Sequence, residues 1–418
     1  MIYDKASLVQ IPSGYKSGTL YSVVPNTADG DFDVTRGSTA TRVNKDGLIE
    51  TVASDVPRLD YPLLDGVVQD CPTLLLEPTR ANSLSRSEEF NLWGDTGVTV
   101  TANATIAPRG AQTADLLTSS ANNWRRSQAV TIANGSVYSF SCFVKKHTTT
   151  NKIRFELYKG SNASNLDFVF STETLSASDA SLTDLKVENY PNDWYRVSCK
   201  FTANGTNAIV YLYPSQGYGS SGSAYFWGAQ LEAGDYPTSY IPTSGSAVTR
   251  TADTCGDAGN GTIIKAEGGL FVDFTTSNTD NFKRIYIISN SDFNNSIFIQ
   301  LSETSFAIQI VSGGTTLYSW GFVVTLSDRH KIALRYKDGD SKLYYNGVQK
   351  TATTASGTWF SEGLLNKFTF SPSSFFNFYG EVNQAMIFNE ALSDSELETI
   401  TSYTSFNQMA KALLYTIE

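Results

Sequence analysis

At roughly 150 residues per domain, a chain of 418 residues has room for about three domains. It sets 31 Lys and Arg against 41 Asp and Glu, a net charge of −10, so it lacks the positive field that sequence-independent phosphate binding needs, and no nucleic-acid partner is expected. Charged residues make up 17% of the chain and hydrophobic residues 41%, 12% of the chain being aromatic, which excludes bulk disorder; no apolar run reaches the ~18 residues of a membrane span, so no membrane insertion is expected.

In chain order, residues 1–85 come first as a turn-rich segment with few long strands. Pro12 and Gly14 fall where a secretory leader would keep an apolar stretch, so no signal peptide is expected. So few strands stabilise little alone, and the segment is expected to pack on another surface. SLSRSEEFNLW (83–93) predicts a short helix.

Residues 86–250 alternate apolar and polar positions. SQAVTI (127–132) runs through Asn134-Gly135 into SVYSFSCFVKK (136–146), which predicts a hairpin. Further strands are expected at 151–159, 166–172, 193–203, 207–214 and 224–234. Along RVSCKF, Val197, Cys199 and Phe201 share one face and Arg196, Ser198 and Lys200 the other, so one face should be buried and the other wet. Trp194 and Trp227 read as core. Residues 251–261 read as a linker within a Gly/Ser/Thr/Ala-rich stretch that spans 242–261.

Residues 262–418 repeat the strand pattern, with a hairpin through KDGD (337–340) and closing strands at 367–371 and 380–393. Ser393 and Glu396 form a capping-box pattern ahead of Leu397, Ile400, Phe406, Met409, Ala410 and Leu413, which predicts a short C-terminal helix. The expected fold is all-β: a turn-rich N-terminal segment (1–85), a jelly-roll sandwich (86–250), a linker (251–261) and a second jelly roll with a C-terminal helix (262–418).

Little in this sequence promises reactive chemistry. Cys71, Cys142, Cys199 and Cys255 form no CxxC pair; Cys142 and Cys199 read as core residues, with a disulfide between them as the alternative. His147 and His330 lie in no nucleophile motif and read as solvated polar residues. The acids Asp273 and Glu381 stand alone in sequence, so no catalytic residue is expected and the chain reads as a non-enzyme. No cofactor is expected; SDFNNS (291–296) and KDGDSK (337–342) leave calcium as an alternative.

Three runs resemble tailed-phage tail fibre and adsorption proteins: DFDVTRGSTATRVNKDGLIETVASDVPRLDYP (31–62), LLLEPTRANSLSRSEEFNLW (74–93) and YFWGAQLEAGDYPTSYIPTSG (225–245), the last resembling the end of their carbohydrate-binding-module-like jelly roll and so implying such a module over 86–250. HKIALRYKDGDSKLYYNGVQ and GEVNQAMIFNEALSDSELETI resemble the concanavalin A-like (laminin-G-like) lectin/glucanase jelly roll. The resemblance implies a virion structural protein: a homotrimeric tail fibre or tail-tip subunit, made in the cytoplasm of the bacterial host. Residues 1–85 would then join other tail or head-vertex proteins, and the sandwiches would bind host-surface polysaccharide. A head-fibre, collar or decoration subunit, or a capsule depolymerase, are the alternatives. Sugars are recognised by exposed aromatic rings beside planar polar groups. The candidates are Tyr318, Trp320, Asn346, Trp359 and Phe360 in the C-terminal module, and Trp124 with Arg125 and Arg126 in the middle one.

Overall fold

The computed structural model describes residues 2–120, 125–147, 151–216, 220–276, 283–289, 292–302, 304–325, 329–373, 376–403 and 408. The chain is all-β with a single short helix among the described residues, and it holds two antiparallel sandwiches.

The middle sandwich stacks two six-stranded sheets. Strand Lys152–Tyr158 alternates buried Ile153, Phe155 and Leu157 with half-exposed Lys152, Arg154, Glu156 and Tyr158. Its buried face packs on Phe140, Cys142, Val144, Val197, Cys199 and Phe226 of the opposing sheet. Cys142 and Cys199 are buried free thiols within this core, not a disulfide. Gly135 does make a left-handed turn, at φ 77°. The turn joins no hairpin, however: Arg125–Thr131 pairs with Asn207–Tyr213 in one sheet, while Val137–Lys146 pairs with Trp194–Thr202 and Gly222–Ala233 in the other. The turn carries the chain between layers.

The C-terminal sandwich pairs a six-stranded sheet with an eight-stranded one. Three strands of the larger sheet come from the N-terminal segment. Ala6–Gln10 and Thr73–Leu76 both pair with Gly380–Phe388, and Leu59–Asp60 pairs with Thr73–Leu76. Residues 1–85 are thus woven into the far end of the same chain, which supplies the surface this strand-poor segment needs. The stretch 251–261 is equally built in: Thr254–Gly256 pairs with Phe32–Thr35, and Asp253, Cys255 and Ala258 are buried. The KDGD hairpin read from sequence is present, turning through Gly339 at φ 68°, and a second hairpin turns through Asn346-Gly347 at φ 46° and 79°.

The C-terminal helix spans Asp394–Ser402, and Ser393 with Glu396 forms the capping box. Leu397 and Ile400 are buried; Phe406, Met409, Ala410 and Leu413 lie outside the described residues. The other expected helix is absent. Only Phe90–Leu92 makes a single 3-10 turn. Residues 83–87 bond instead to Leu231 and to 243–245, since tertiary backbone partners outbid a short local helix.

A buried ionic knot ties the parts together. Arg36 bonds Asp253 at 2.9 Å, and Arg58 bonds both Glu77, at 2.5 Å, and Asp253. Arg250 reaches Glu77 at 2.6 Å, and Ser239 donates to the same carboxylate at 2.7 Å. Burial pushes the Glu77 carboxyl up, but Arg250 and Arg58 more than reverse this and hold it at about 2. Four of these five charges, Arg36, Arg58, Glu77 and Arg250, lie in or just after the sequence runs that carry the phage resemblance. Those runs therefore encode a structural core.

Candidate functional site

The two outer faces of the middle sandwich differ. The face of Val137–Lys146 and Trp194–Thr202 was expected to be wet, yet Arg196 and Ser198 are buried. Segment 236–241 covers them: Arg196 donates to Ser141 at 3.0 Å and to the Thr238 carbonyl at 2.6 Å. Asn82 seals the next turn, bonding Ala229, Leu231 and Ile241. Period-two alternation reports two unlike faces; here the polar one is buried because another segment of the chain lies over it.

The outer face of the other sheet stays open. Cross-strand register lines up Ser127, Tyr211, Glu156 and Asn165 in one row. The next row holds Tyr213, Arg154, Asp167 and Ser176. Arg125 lies over the Tyr211 ring at 4.0 Å and donates to the Tyr213 hydroxyl at 3.2 Å. Tyr213 donates in turn to Glu156 at 2.5 Å, and burial with this bond pushes its hydroxyl up to about 12. Arg154 grips Asp167 through two bonds of 2.6 and 2.9 Å, and Lys152 adds a third at 2.7 Å. Although burial pushes Asp167 up, these partners leave it below the usual carboxylate range. The side chains are held in place before any ligand arrives, which lowers the ordering cost of binding. Half-exposed Tyr158 and Tyr211 offer apolar ring surface, and fixed Arg, Glu, Asp and Asn groups offer planar donors and acceptors.

Of the expected residues, Arg125 belongs to this face. Its neighbour Arg126 is buried and donates to the Trp93 carbonyl at 3.2 Å. Trp124 lies outside the described residues. In the C-terminal sandwich, Trp320 is 1% exposed and packs in the core, so it has no face to offer a sugar. The same holds for Phe360, at 6%. Tyr318 is half-buried and stacks on Trp320 at 5.8 Å, its edge meeting Trp359 at 6.3 Å. Trp359 spends its indole N–H on the Ala266 carbonyl. Asn346 is exposed at its hairpin tip, its Oδ1 accepting the Lys331 amide. Only Tyr318 and Trp359 lie together with part of their rings exposed; Trp320 and Phe360 are core, since a Trp beside a Gly fits an apolar strand as readily as a loop. The tyrosine face was missed because its members come from four strands, and only their shared parity in KIRFELY and AIVYLYP hinted at it.

His330, read as solvated, is buried between Phe274 and Phe306 and bonds Tyr345. His147 bonds Ser223 at 2.7 Å. Of the two loops considered for calcium, Asp292 spends its oxygens on Asn294 and Asn295, and Asp340 pairs with Arg335. Among the described residues no group of three or more His, Cys, Asp or Glu is placed to hold a metal.

Asp273 and Glu381 were expected to stand alone. Asp273 is instead buried against Arg329 at 2.7 Å and Gln384 at 3.3 Å. Glu381 opens into a cleft of about 360 Å³ where the N-terminal segment, the middle sandwich and the C-terminal sandwich meet, lined also by Asp60, Glu188 and Arg196. Burial, then the nearby Asp60 charge, push the Glu381 carboxyl up to about 7. Burial pushes Asp60 to about 6 against the opposing Val43 amide bond.

No protein family matches the chain, and no curated protein matches it. Among solved structures it is similar to the CBM40 module of a Ruminococcus gnavus IT-sialidase bound to α2,3-sialyllactose (14% identity, 34% of this chain and 84% of that one, TM-score 0.29). It is also similar to domain 4 of AbnA, an extracellular arabinanase from Geobacillus stearothermophilus, in complex with arabinotriose (13% identity, 40% and 83%, TM-score 0.29). A third is the LG4-5 pair of mouse laminin α1 (9% identity, 78% and 96%, TM-score 0.24). Likeness at this level assigns no activity; the sheets described above establish the architecture.

Proposed function

We propose that the protein is a tailed-phage tail fibre or tail-tip subunit that adsorbs to host-surface polysaccharide. The observation that carries the binding reading is the open face of Arg125, Tyr158, Tyr211, Glu156, Arg154 and Asp167, whose groups are fixed by one another and left half-exposed. The phage resemblance of 31–62, 74–93 and 225–245 supports the virion reading. One shallow sheet face binds a sugar weakly, and a homotrimer would raise avidity through effective concentration. A glycan array of bacterial surface polysaccharides tests this: binding by the intact protein, lost in Tyr211→Ala, is the expected result. Unchanged binding in that variant removes the face from the mechanism.

A capsule depolymerase is the second reading, favoured by the meeting of Glu188 and Glu381 in the junction cleft. Release of reducing ends from the bound polysaccharide, lost in Glu381→Gln, would support it.

A further inference from the structure

The junction cleft has an unusual charge arrangement. Asp60 comes from the N-terminal segment, Glu188 from the edge strand Thr183–Tyr190 of the middle sandwich, and Glu381 from strand Gly380–Phe388 of the C-terminal sandwich. Among the described residues, the Glu381 carboxyl has no hydrogen bond or ion pair. Asp60 accepts the Val43 amide at 2.7 Å. The cations facing the cleft already have partners, and neither Asp60 nor Glu381 is among them. Lys186 pairs with Glu188 at 2.8 Å, Arg42 with Glu50 at 2.7 Å, and Arg196 with Ser141 and Thr238. Glu77 behind them is neutralised by Arg58 and Arg250. The strand beside Glu381 contributes only Thr275 and Thr276, and Tyr190, Tyr236 and Tyr379 complete the wall. Glu188 thus has Lys186 as its partner, while Asp60 and Glu381, from two other parts of the chain, share the cleft with no ion pair of their own among the described residues.

We propose that this cleft is a proton-operated latch: protons held on Glu381 and Asp60 let the three parts close on one another, and loss of those protons sets like charges across the seam and loosens it. The sign follows from linkage. A carboxyl whose folded affinity for protons exceeds its unfolded one binds more protons in the folded state. Stability then falls as pH rises from about 4.5, the ordinary carboxyl value, toward neutrality, and levels off above. The seam of an adsorbing particle would thus be tight in mildly acidic surroundings and looser at neutral to alkaline pH.

The test uses the full chain. Melting temperature is measured from pH 5 to 8.5 for wild type, Glu381→Gln and, as control, Asp338→Asn on the exposed KDGD hairpin. Hydrogen exchange of 183–190 and 380–388, corrected for the intrinsic pH effect, is followed alongside. The expected result is that Glu381→Gln melts roughly 2–6 °C above wild type at pH 8 but not at pH 5, and removes the extra exchange at high pH. Lys186→Ala, an exposed change that takes away a facing cation, should move the wild-type transition to higher pH. It also keeps the test alive should Glu381→Gln fail to fold. Parallel melting curves for wild type and Glu381→Gln, or an unmoved transition in Lys186→Ala, would overturn the latch. Loss of polysaccharide cleavage or binding without these shifts would concern the function and leave the latch rejected.

Discussion

In the middle sandwich, strand Val137–Lys146 turns Ser139, Ser141 and Phe143 away from the core, and all three are sealed beneath neighbouring segments. Strand Lys152–Tyr158, in the facing sheet, turns Lys152, Arg154, Glu156 and Tyr158 outward, and these stay half-exposed. Both outer faces are polar. The first is covered by other segments of the chain and becomes structural, with Ser139 Oγ and Arg196 Nε left unpaired beneath them; the second binds only within its own sheet and is left to meet something else. Polarity alone does not mark a surface as functional. What decides is whether another part of the chain completes it.

If the covered face and its ionic knot hold the molecule together, cutting the knot has the largest effect. Arg58→Met leaves the buried Glu77 with Arg250 and the buried Asp253 with Arg36 as sole cationic partners, and should cost about 3–5 kcal/mol by urea denaturation, because the carboxylates cannot regain water for the bonds lost. The same knot sets acid sensitivity. Glu77 is held at about 2 against an ordinary 4.5, so its stabilisation is complete above pH 4.5 and is lost as pH falls toward 2. A loss on the order of 3 kcal/mol should show in acid titration and be missing in Glu77→Gln.

Gly228 is a finer probe of the covered face. It has φ 62° at a bulge in the strand, and a Cβ there would stand 2.9 Å from Phe143. Gly228→Ala should cost about 1–3 kcal/mol in thermal melts. On the open face the pattern should invert. Tyr211→Ala should change stability by less than about 1 kcal/mol while weakening glycan binding roughly tenfold or more. A large stability loss there, with binding intact, would make the two faces alike. The smallest expected effect lies outside both faces: Ser393→Ala removes the helix cap and should cost about 1 kcal/mol.

Much of the fold was legible in the sequence. Period-two runs located many strands of both sandwiches to within a few residues, because alternation records which side of a pleat meets apolar neighbours, but Val98–Thr105, Ala114–Ser119 and Thr183–Tyr190 of the middle sandwich were not read. The capping box of Ser393 and Glu396 and the KDGD hairpin were equally readable, being local chemistry. Asn134-Gly135 misled, since a turn signal states that the chain reverses and not which strand it will pair with. SLSRSEEFNLW misled for a related reason: its backbone groups found partners more than a hundred residues away.

The candidate sites were less visible. Arg125 was found as an isolated residue, while Tyr211, Arg154 and Glu156 became a face only through cross-strand register. Trp320 looked exposed beside Gly321 and proved to be core.

The amino-acid sequence by itself determined the strands, the turns and the helix cap, because each depends on residues a few positions apart. Only the tertiary structure decided which polar face would be buried, that residues 1–85 would complete the C-terminal sheet, and that Asp60, Glu188 and Glu381 would meet. Those outcomes turn on long-range pairing, in which the stabilisation comes from contacts between segments that carry no sign of one another in their own composition.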